Sequence, residues 1–403
     1  MARTRSIADP LPTSGLRQLT LGGWVRGFAS ADPGDAVRHA NRLAATVMAL
    51  MAFGFLLQAS HAATTLSPQA FRADLVGEIG VRTVGLGVLL CAWRLGPTRL
   101  RPLLAPIVVL SLLLLLLVWV PGVGRSVNGA SRWIHVGLSI QPSELARIAL
   151  VLWIADRCVR AGPRLLEFFR GVLPVLALAV VFFLAVVLQP DLGAALLLLL
   201  TALATMWVGG AGLGAAALPL VVGFGAAIFL AVRFLPYVKS RLDMWVGDAH
   251  NEQLSDSLGA LANSGQYGVG FANGELRNRG FNYMDSDFVF ALVGEEFGFA
   301  GVVLVVGLLA AFLWNALRLI LALPRRFEAT VAFGLCLSVA LQAHLHILVS
   351  TGLAPPKGMT LPFLSAGGTS FVVSSLAIGL ALGAARTSSH SPIEPCSRSN
   401  ATG

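Results

Sequence analysis

The sequence predicts an all-α, polytopic integral membrane protein of about ten transmembrane helices. Three observations carry this expectation. The 403 residues are 56% hydrophobic and only 12% charged, against roughly 25% charged in soluble domains. The mean hydropathy is +0.77. Apolar stretches long enough to cross about 30 Å of hydrocarbon recur along the whole chain.

Ten such spans are read at about 43–65, 76–95, 102–121, 143–160, 171–188, 191–210, 212–234, 288–316, 327–350 and 361–385. Three carry internal polar residues: Arg82 in the second, Glu144 and Arg147 in the fourth, His346 in the ninth. Residues 1–42 are polar and Pro/Gly-rich, without the basic-then-apolar pattern of a cleaved signal. They and the tail at 387–403 are expected to be disordered, flanking one membrane domain over 43–386. Segments on the N-terminal side of the membrane hold roughly twice the Arg and Lys of the opposite side, which predicts cytoplasmic termini. The net charge of +9 suits anionic lipid on the inner leaflet, and no separate nucleic-acid signal is read. The four cysteines are scattered and suggest neither a disulfide frame nor a metal site.

The connections on the opposite, extracytoplasmic side hold nearly all the unusual polar motifs. Between spans 3 and 4 runs GRSVNGASRWIHVGLSIQPSELAR, where Arg132-Trp133-Ile134 reads as a segment in the membrane interface. Gln141-Pro142-Ser143-Glu144 reads as a helix start, with Glu144 and Arg147 three residues apart on one face. A cap and a structural ion pair would explain them. So would the wall of a polar pocket, because charges inside a membrane usually face a cavity. Gln189-Pro190-Asp191 repeats the pattern before span 6. The longest connection, about 235–287, contains Gln253 and a Gly-rich run over Gly265–Gly274. It is too long for a plain connector. The last, GLAPPKGMTLPFLSAGGTS, has too many Pro and Gly for a continuous helix and carries Lys357 and Ser365. Irregular backbone at membrane depth is tolerated where it is buried or lines a cavity. Span 8 opens on NYMDSDFVFALVGEEFGFAG, with Asp285 and Asp287 at its mouth and Glu295 and Glu296 about two turns inside. Gly294, Gly298 and Gly301 beside those glutamates point to close helix packing, with the two acids holding neighbouring helices.

Four of these stretches, in order, resemble the SEDS family of FtsW, RodA and their sporulation relatives: GASRWIHVGLSIQPSELAR, QPDLGAALLLLL, SDFVFALVGEEFGFAG and GLAPPKGMTLPFLSAGGTS. The resemblance covers roughly 43–385, and Pro-Pro-Lys-Gly at 355–358 is closer to FtsW than to RodA. It departs where the family usually has Leu-Pro-Glu-Ala-His-Thr-Asp-Phe. Here the run is Phe281-Asn282-Tyr283-Met284-Asp285-Ser286-Asp287-Phe288. Arg147 stands for a usual Lys, Ala366 for a Tyr and His346 for an Asn.

The resemblance implies a peptidoglycan glycosyltransferase. Such an enzyme polymerises lipid II into a growing glycan strand at the outer face of the cytoplasmic (inner) membrane during division. A class B penicillin-binding protein and other division proteins would be its partners. Asp287 matches the family's proposed catalytic acid and would serve as general base on the acceptor hydroxyl while undecaprenyl pyrophosphate leaves. Arg132, Gln141, Ser143, Glu144, Arg147, Gln189, Asp191, Gln253, Asp285, Lys357 and Ser365 are the candidate substrate contacts. Arg suits bidentate phosphate and Lys acts as a point charge. No cofactor or metal cluster is expected, although Mg or Mn bridging the pyrophosphate is compatible with the chemistry. An elongation polymerase of RodA type, a flippase for lipid-linked sugars and a non-catalytic division scaffold remain open as alternatives.

Overall fold

The computed structural model describes residues 33–389, apart from 128–129, 137, 275–283 and all but a few positions of 213–251. The expected span at 212–234 and the expected disordered ends before 33 and after 389 therefore lie outside the described residues. The described helices are α1 (Pro33–Thr65), α2 (Pro68–Leu100), α3 (Leu104–Leu117), α4 (Pro142–Ala161), α5 (Leu173–Val187), α6 (Leu192–Val208), α7 (Glu252–Asn263), α8 (Met284–Asp287), α9 (Val289–Ala322), α10 (Arg326–Ser350) and α11 (Gly368–Ser389).

Among the described residues, six helical stretches are long and apolar enough to cross a membrane. One of them, Gln69–Leu117, is 49 residues long. It runs through α2 and α3, which meet at the 3-10 turn Arg101–Leu103; within α2 itself, Gly96 leaves helical geometry (φ +67°) before Pro97. Helix α6 is apolar but shorter. Helix α4 has the length without the apolarity, because Glu144, Arg147, Asp156, Arg157 and Arg160 lie within it. It nevertheless occupies the centre. Ile148, Val151, Leu152 and Ala155 join a core with α1, α2, α9, α10 and α11. Ala146, Leu150, Ile154 and Cys158 join a second core with α3, α5 and α6.

Several expected boundaries move. Helix α1 starts at Pro33, not at 43, so part of the segment expected to be disordered is helical. Helix α11 starts at Gly368, not at 361, because Pro362, Gly367 and Gly368 hold the preceding residues in turns. The all-α expectation is also incomplete. Gly124–Val127, Ala130–Val136 and Leu138–Ile140 form strands β1–β3 of an antiparallel sheet in sequence order. Arg132-Trp133-Ile134, expected as an interfacial segment, lies in β2, with Trp133 opposite Arg125 and Ile134 opposite Ile140. Only Ile134-His135-Val136 alternates apolar and polar with the period of two of a strand, so the local pattern does not announce β2.

The Arg-rich end of the bundle is tied across helices. Asp156 pairs with Arg101 at 2.8 Å and with Arg160 at 2.6 Å. Glu328, 1% exposed, accepts from Thr98 at 2.9 Å and lies 3.4 Å from Arg325.

At the opposite end, α9 is broken at Gly298 (φ +65°). The break leaves the carbonyls of Glu295 and Glu296 and the N–H groups of Phe299 and Ala300 without their helical partners. The loop after α7 takes up all four. Val269 and Gly270 donate to Glu295 O and Glu296 O at 2.9 and 3.0 Å, and Phe299 and Ala300 donate to Gly265 O and Gln266 O at 3.0 and 3.1 Å. Ser60 of α1 clamps the assembly, donating to Glu296 Oε2 at 2.6 Å and accepting from Ala272 N at 2.9 Å. The loop fits because Gly268 (φ +71°) has no Cβ; one there would lie 2.5 Å from the Glu296 backbone. A Gly268→Ala variant is therefore expected to lose about 1–3 kcal/mol from the left-handed backbone alone. Thermal unfolding in detergent measures it, and an unchanged midpoint would contradict the packing described.

Candidate functional site

Asp191 is the hub of the motif end. It caps α6, accepting from Ala194 N at 3.0 Å, and receives Gln141 Nε2 at 3.1 Å. Lys357 Nζ lies 2.9 Å from its Oδ1. Arg132 of β2 donates to the carbonyl of Pro190 beside it. Asp191 is buried, and Lys357, Arg132 and the Ala194 N–H surround its carboxylate with positive charge and donors. The Lys357 side chain is itself only 14% exposed. It lies over Gly193, where a Cβ would crowd the end of the lysine side chain and push it aside. Gln189 faces away from this cluster and donates to Leu115 O at 2.8 Å, joining the α6 start to α3.

Asp287 ends α8 and stays half-buried. Its carboxylate lies against Gly358, where a Cβ would sit 2.7 Å from Oδ2. The cation at 357 and the acid at 287 therefore meet on one short segment. Ser365 fixes that segment, accepting from Leu361 N and donating to Ser286 O, both at 2.7 Å. Helix α1 supports it from below. Gln58 donates to Leu364 O at 2.9 Å, and Gly54 leaves room for the Phe363 carbonyl.

Deeper in the bundle, Glu144 and Arg147 are both buried, with Ser143 beside them. Arg147 donates through Nη2 to Gln342 Oε1 at 2.8 Å, and Ser370 hydrogen-bonds Glu144. Gln342 Nε2 reaches Thr360 O, Thr360 Oγ1 and Ser370 Oγ at 3.2, 3.1 and 3.2 Å. Gln253 stands in α7 and Asp285 in α8; their side chains lie outside the described residues.

Glu295, Glu296 and Gly298 belong to the helix break. Gly294 receives Leu261 of α7, whose Cδ2 would be 2.6 Å from a Cβ there. These positions carry the loop after α7 on α9. Sequence reasoning missed Gly193, Gly358, Thr360, Ser370 and Gln342 as parts of the site. Only Gln342 and His346 left a signal, as polar residues four apart in an apolar span. Among the described residues, no group of three or more His, Cys, Asp or Glu is placed to hold a metal ion.

The chain can now be set beside known proteins. A family model described as a cell cycle protein of the FtsW/RodA/SpoVE type matches residues 41–390. The chain belongs to the FtsW/RodA/SpoVE family. It is 36% identical over 366 residues to a probable peptidoglycan glycosyltransferase FtsW of Alkalilimnicola ehrlichii, spanning 85% of this chain and 88% of that protein. It is 34% identical to the stage V sporulation protein E of Bacillus subtilis over 70% of this chain and 78% of that one. Among solved structures, it resembles a chain described under the structural coordination of polymerization and crosslinking by a peptidoglycan synthase complex. That likeness has a TM-score of 0.71 and 29% identity, covering 87% of this chain and 98% of that one. The rod shape determining protein RodA of Thermus thermophilus matches with a TM-score of 0.64 and 28% identity, covering 91% of this chain and all of the other.

The Asp191–Lys357 pair makes a direct prediction. In a double-mutant cycle of Asp191→Asn and Lys357→Met, the two changes are expected to couple by about 0.5–3 kcal/mol. Detergent unfolding of the four proteins measures this, and strict additivity would show that the pair contributes nothing.

Proposed function

We propose that this multi-pass membrane protein polymerises lipid II into glycan strands at the outer face of the cytoplasmic membrane, with Asp287 as general base. That it is a peptidoglycan glycosyltransferase rests on its family and on relatives that bear this activity in their names. One observation carries the mechanistic reading. The half-buried Asp287 carboxylate packs on Gly358, next to Lys357, and Lys357 reaches the Asp191 and Arg132 cluster. An acid and two cations thus converge at the end of the bundle where irregular backbone gathers.

The reaction needs these groups. An acceptor sugar hydroxyl attacks the anomeric carbon of a second lipid II, and the bond to undecaprenyl pyrophosphate breaks. Asp287 accepts the hydroxyl proton as the new glycosidic bond forms. Lys357 and Arg132 face the negative charge that grows on the leaving pyrophosphate. Glu144 and Arg147 lie deeper, where their charges are held by Ser370 and Gln342. Gln141 and Ser365 orient the two sides of the site through Asp191 and Ser286. A divalent Mg or Mn would act on the same pyrophosphate. A class B penicillin-binding protein is the natural partner, given the synthase-complex likeness, and septal synthesis is the favoured setting, given the FtsW relatives.

A flippase reading would need a polar route to both ends. At the Arg-rich end the described acids Asp156 and Glu328 are instead buried and paired with Arg101 and Arg325. Purified protein in liposomes with labelled lipid II tests both readings. Asp287→Asn is expected to lower polymer formation by about 100- to 10,000-fold at unchanged folding. Polymer at the unsubstituted rate would sink the role of Asp287. Lipid II movement across the bilayer without any polymer from the unsubstituted protein would favour the flippase.

A further inference from the structure

We propose that Gln342 and His346 of α10 are positioning residues that hold the extended 357–360 segment, and with it Lys357 and Gly358, in reacting register. The inference rests on the polymerase reading above.

The two residues are four apart on α10 and share a face. His346 is fully buried, and its Nδ1 lies 2.6 Å from Met359 O. A carbonyl only accepts, so Nδ1 carries the proton and the ring is anchored by donation. Among the described residues its Nε2 is buried without a hydrogen-bond partner, and the ring's described hydrogen bond is to this segment. Gln342 is 3% exposed and grips the next residue, donating to both the carbonyl and the hydroxyl of Thr360. Its Oε1 is occupied by Arg147, which fixes which way the amide points. Thr360 Oγ1 in turn donates to Ser370 at 2.8 Å.

Two consecutive residues of an irregular segment, Met359 and Thr360, are therefore bound to one rigid helix. Gly358 immediately precedes them and backs the Asp287 carboxylate. Lys357 comes next and ends on Asp191. Residues 355–361 belong to no helix or strand. The side chains of α10 therefore contribute directly to their placement. Small displacements of a catalytic group are expensive: about 1 Å of misplacement costs on the order of 100-fold in rate. Neither residue touches Asp287 in any described contact, so both act through the segment.

The test compares Gln342→Met, His346→Leu and His346→Asn with the unsubstituted protein. Asn places its Nδ2 where histidine has Nδ1, so it restores the donor to Met359. Thr360→Val provides a second variant that removes the Thr360 hydroxyl, one of the two acceptors Gln342 holds on this residue, without altering α10. Four quantities are read: backbone hydrogen exchange over 357–365, kcat and KM for polymer formation from lipid II, and the unfolding midpoint. Gln342→Met, His346→Leu and Thr360→Val are expected to raise exchange in that segment selectively, by about tenfold or more. They are expected to lower kcat by about 10- to 100-fold with KM little changed. His346→Asn is expected to recover both. Unchanged exchange in the segment overturns the proposal. So does a loss of kcat that only tracks the unfolding midpoint, or a His346→Asn variant as defective as His346→Leu. If the unsubstituted protein makes no polymer, the polymerase reading fails separately, while the exchange comparison still decides whether these residues hold the segment.

Discussion

A backbone N–H or C=O without a partner in hydrocarbon costs several kcal/mol. That constraint governs the motif end of this molecule. The chain abandons regular helix in two places there, at Gly298 inside α9 and over the Pro/Gly-rich stretch before α11. At Gly298 the loss is repaired by backbone: the glycine loop after α7 supplies two donors and two acceptors to the four groups the break exposes. Before α11 the repair is mostly by side chains. Gln58, Gln342, His346 and Ser365 each reach a backbone group of the stretch or of its neighbour, Ser286.

The two repairs give the site its form. Helix α9 stays attached to α1 through Ser60 and Glu296, so the short helix that ends in Asp287 has a fixed base. The 357–360 segment is freed from helical geometry and can lay Lys357 across the first turn of α6. A continuous helix would offer neither the Gly358 surface beneath Asp287 nor an extended arm toward Asp191. Charge then does the rest. Asp191 is buried, so its negative charge is tolerable only with Lys357, Arg132 and the helix N-terminus around it. In the proposed reaction the same cations would turn from Asp191 to the departing pyrophosphate.

Helix α4 shows the same economy at the other end. It carries more charge than a lipid-facing helix tolerates, yet it is central and nearly wholly buried. Its ions face protein: Arg147 meets Gln342, and Asp156 meets Arg101 and Arg160. Arg157, by contrast, is exposed and stacks on Trp153, with its cation 5.2 Å from the ring centroid. Amphipathic pairs of this kind suit a membrane–water boundary.

The sequence by itself determined the membrane class, most of the described helices and the residues that matter by type. Apolar length is a local property, so helices such as α10 at Arg326–Ser350 could be read almost to the residue. The ordered motifs also marked Asp287, Lys357, Arg132 and Asp191 as unusual. Tertiary structure decided which of them meet. Asp191 and Lys357 are far apart in sequence, and only the path of the irregular segment brings them to 2.9 Å. It also decided that Glu295 and Glu296 bear the loop after α7, since nothing local announces that Gly265–Gly270 will complete a helix broken at Gly298. The glycines that make room for Lys357 and Asp287 and the grip of Gln342 and His346 were unreadable for the same reason. Each is a contact between distant segments, and a single sequence records composition and period but not which surfaces face each other.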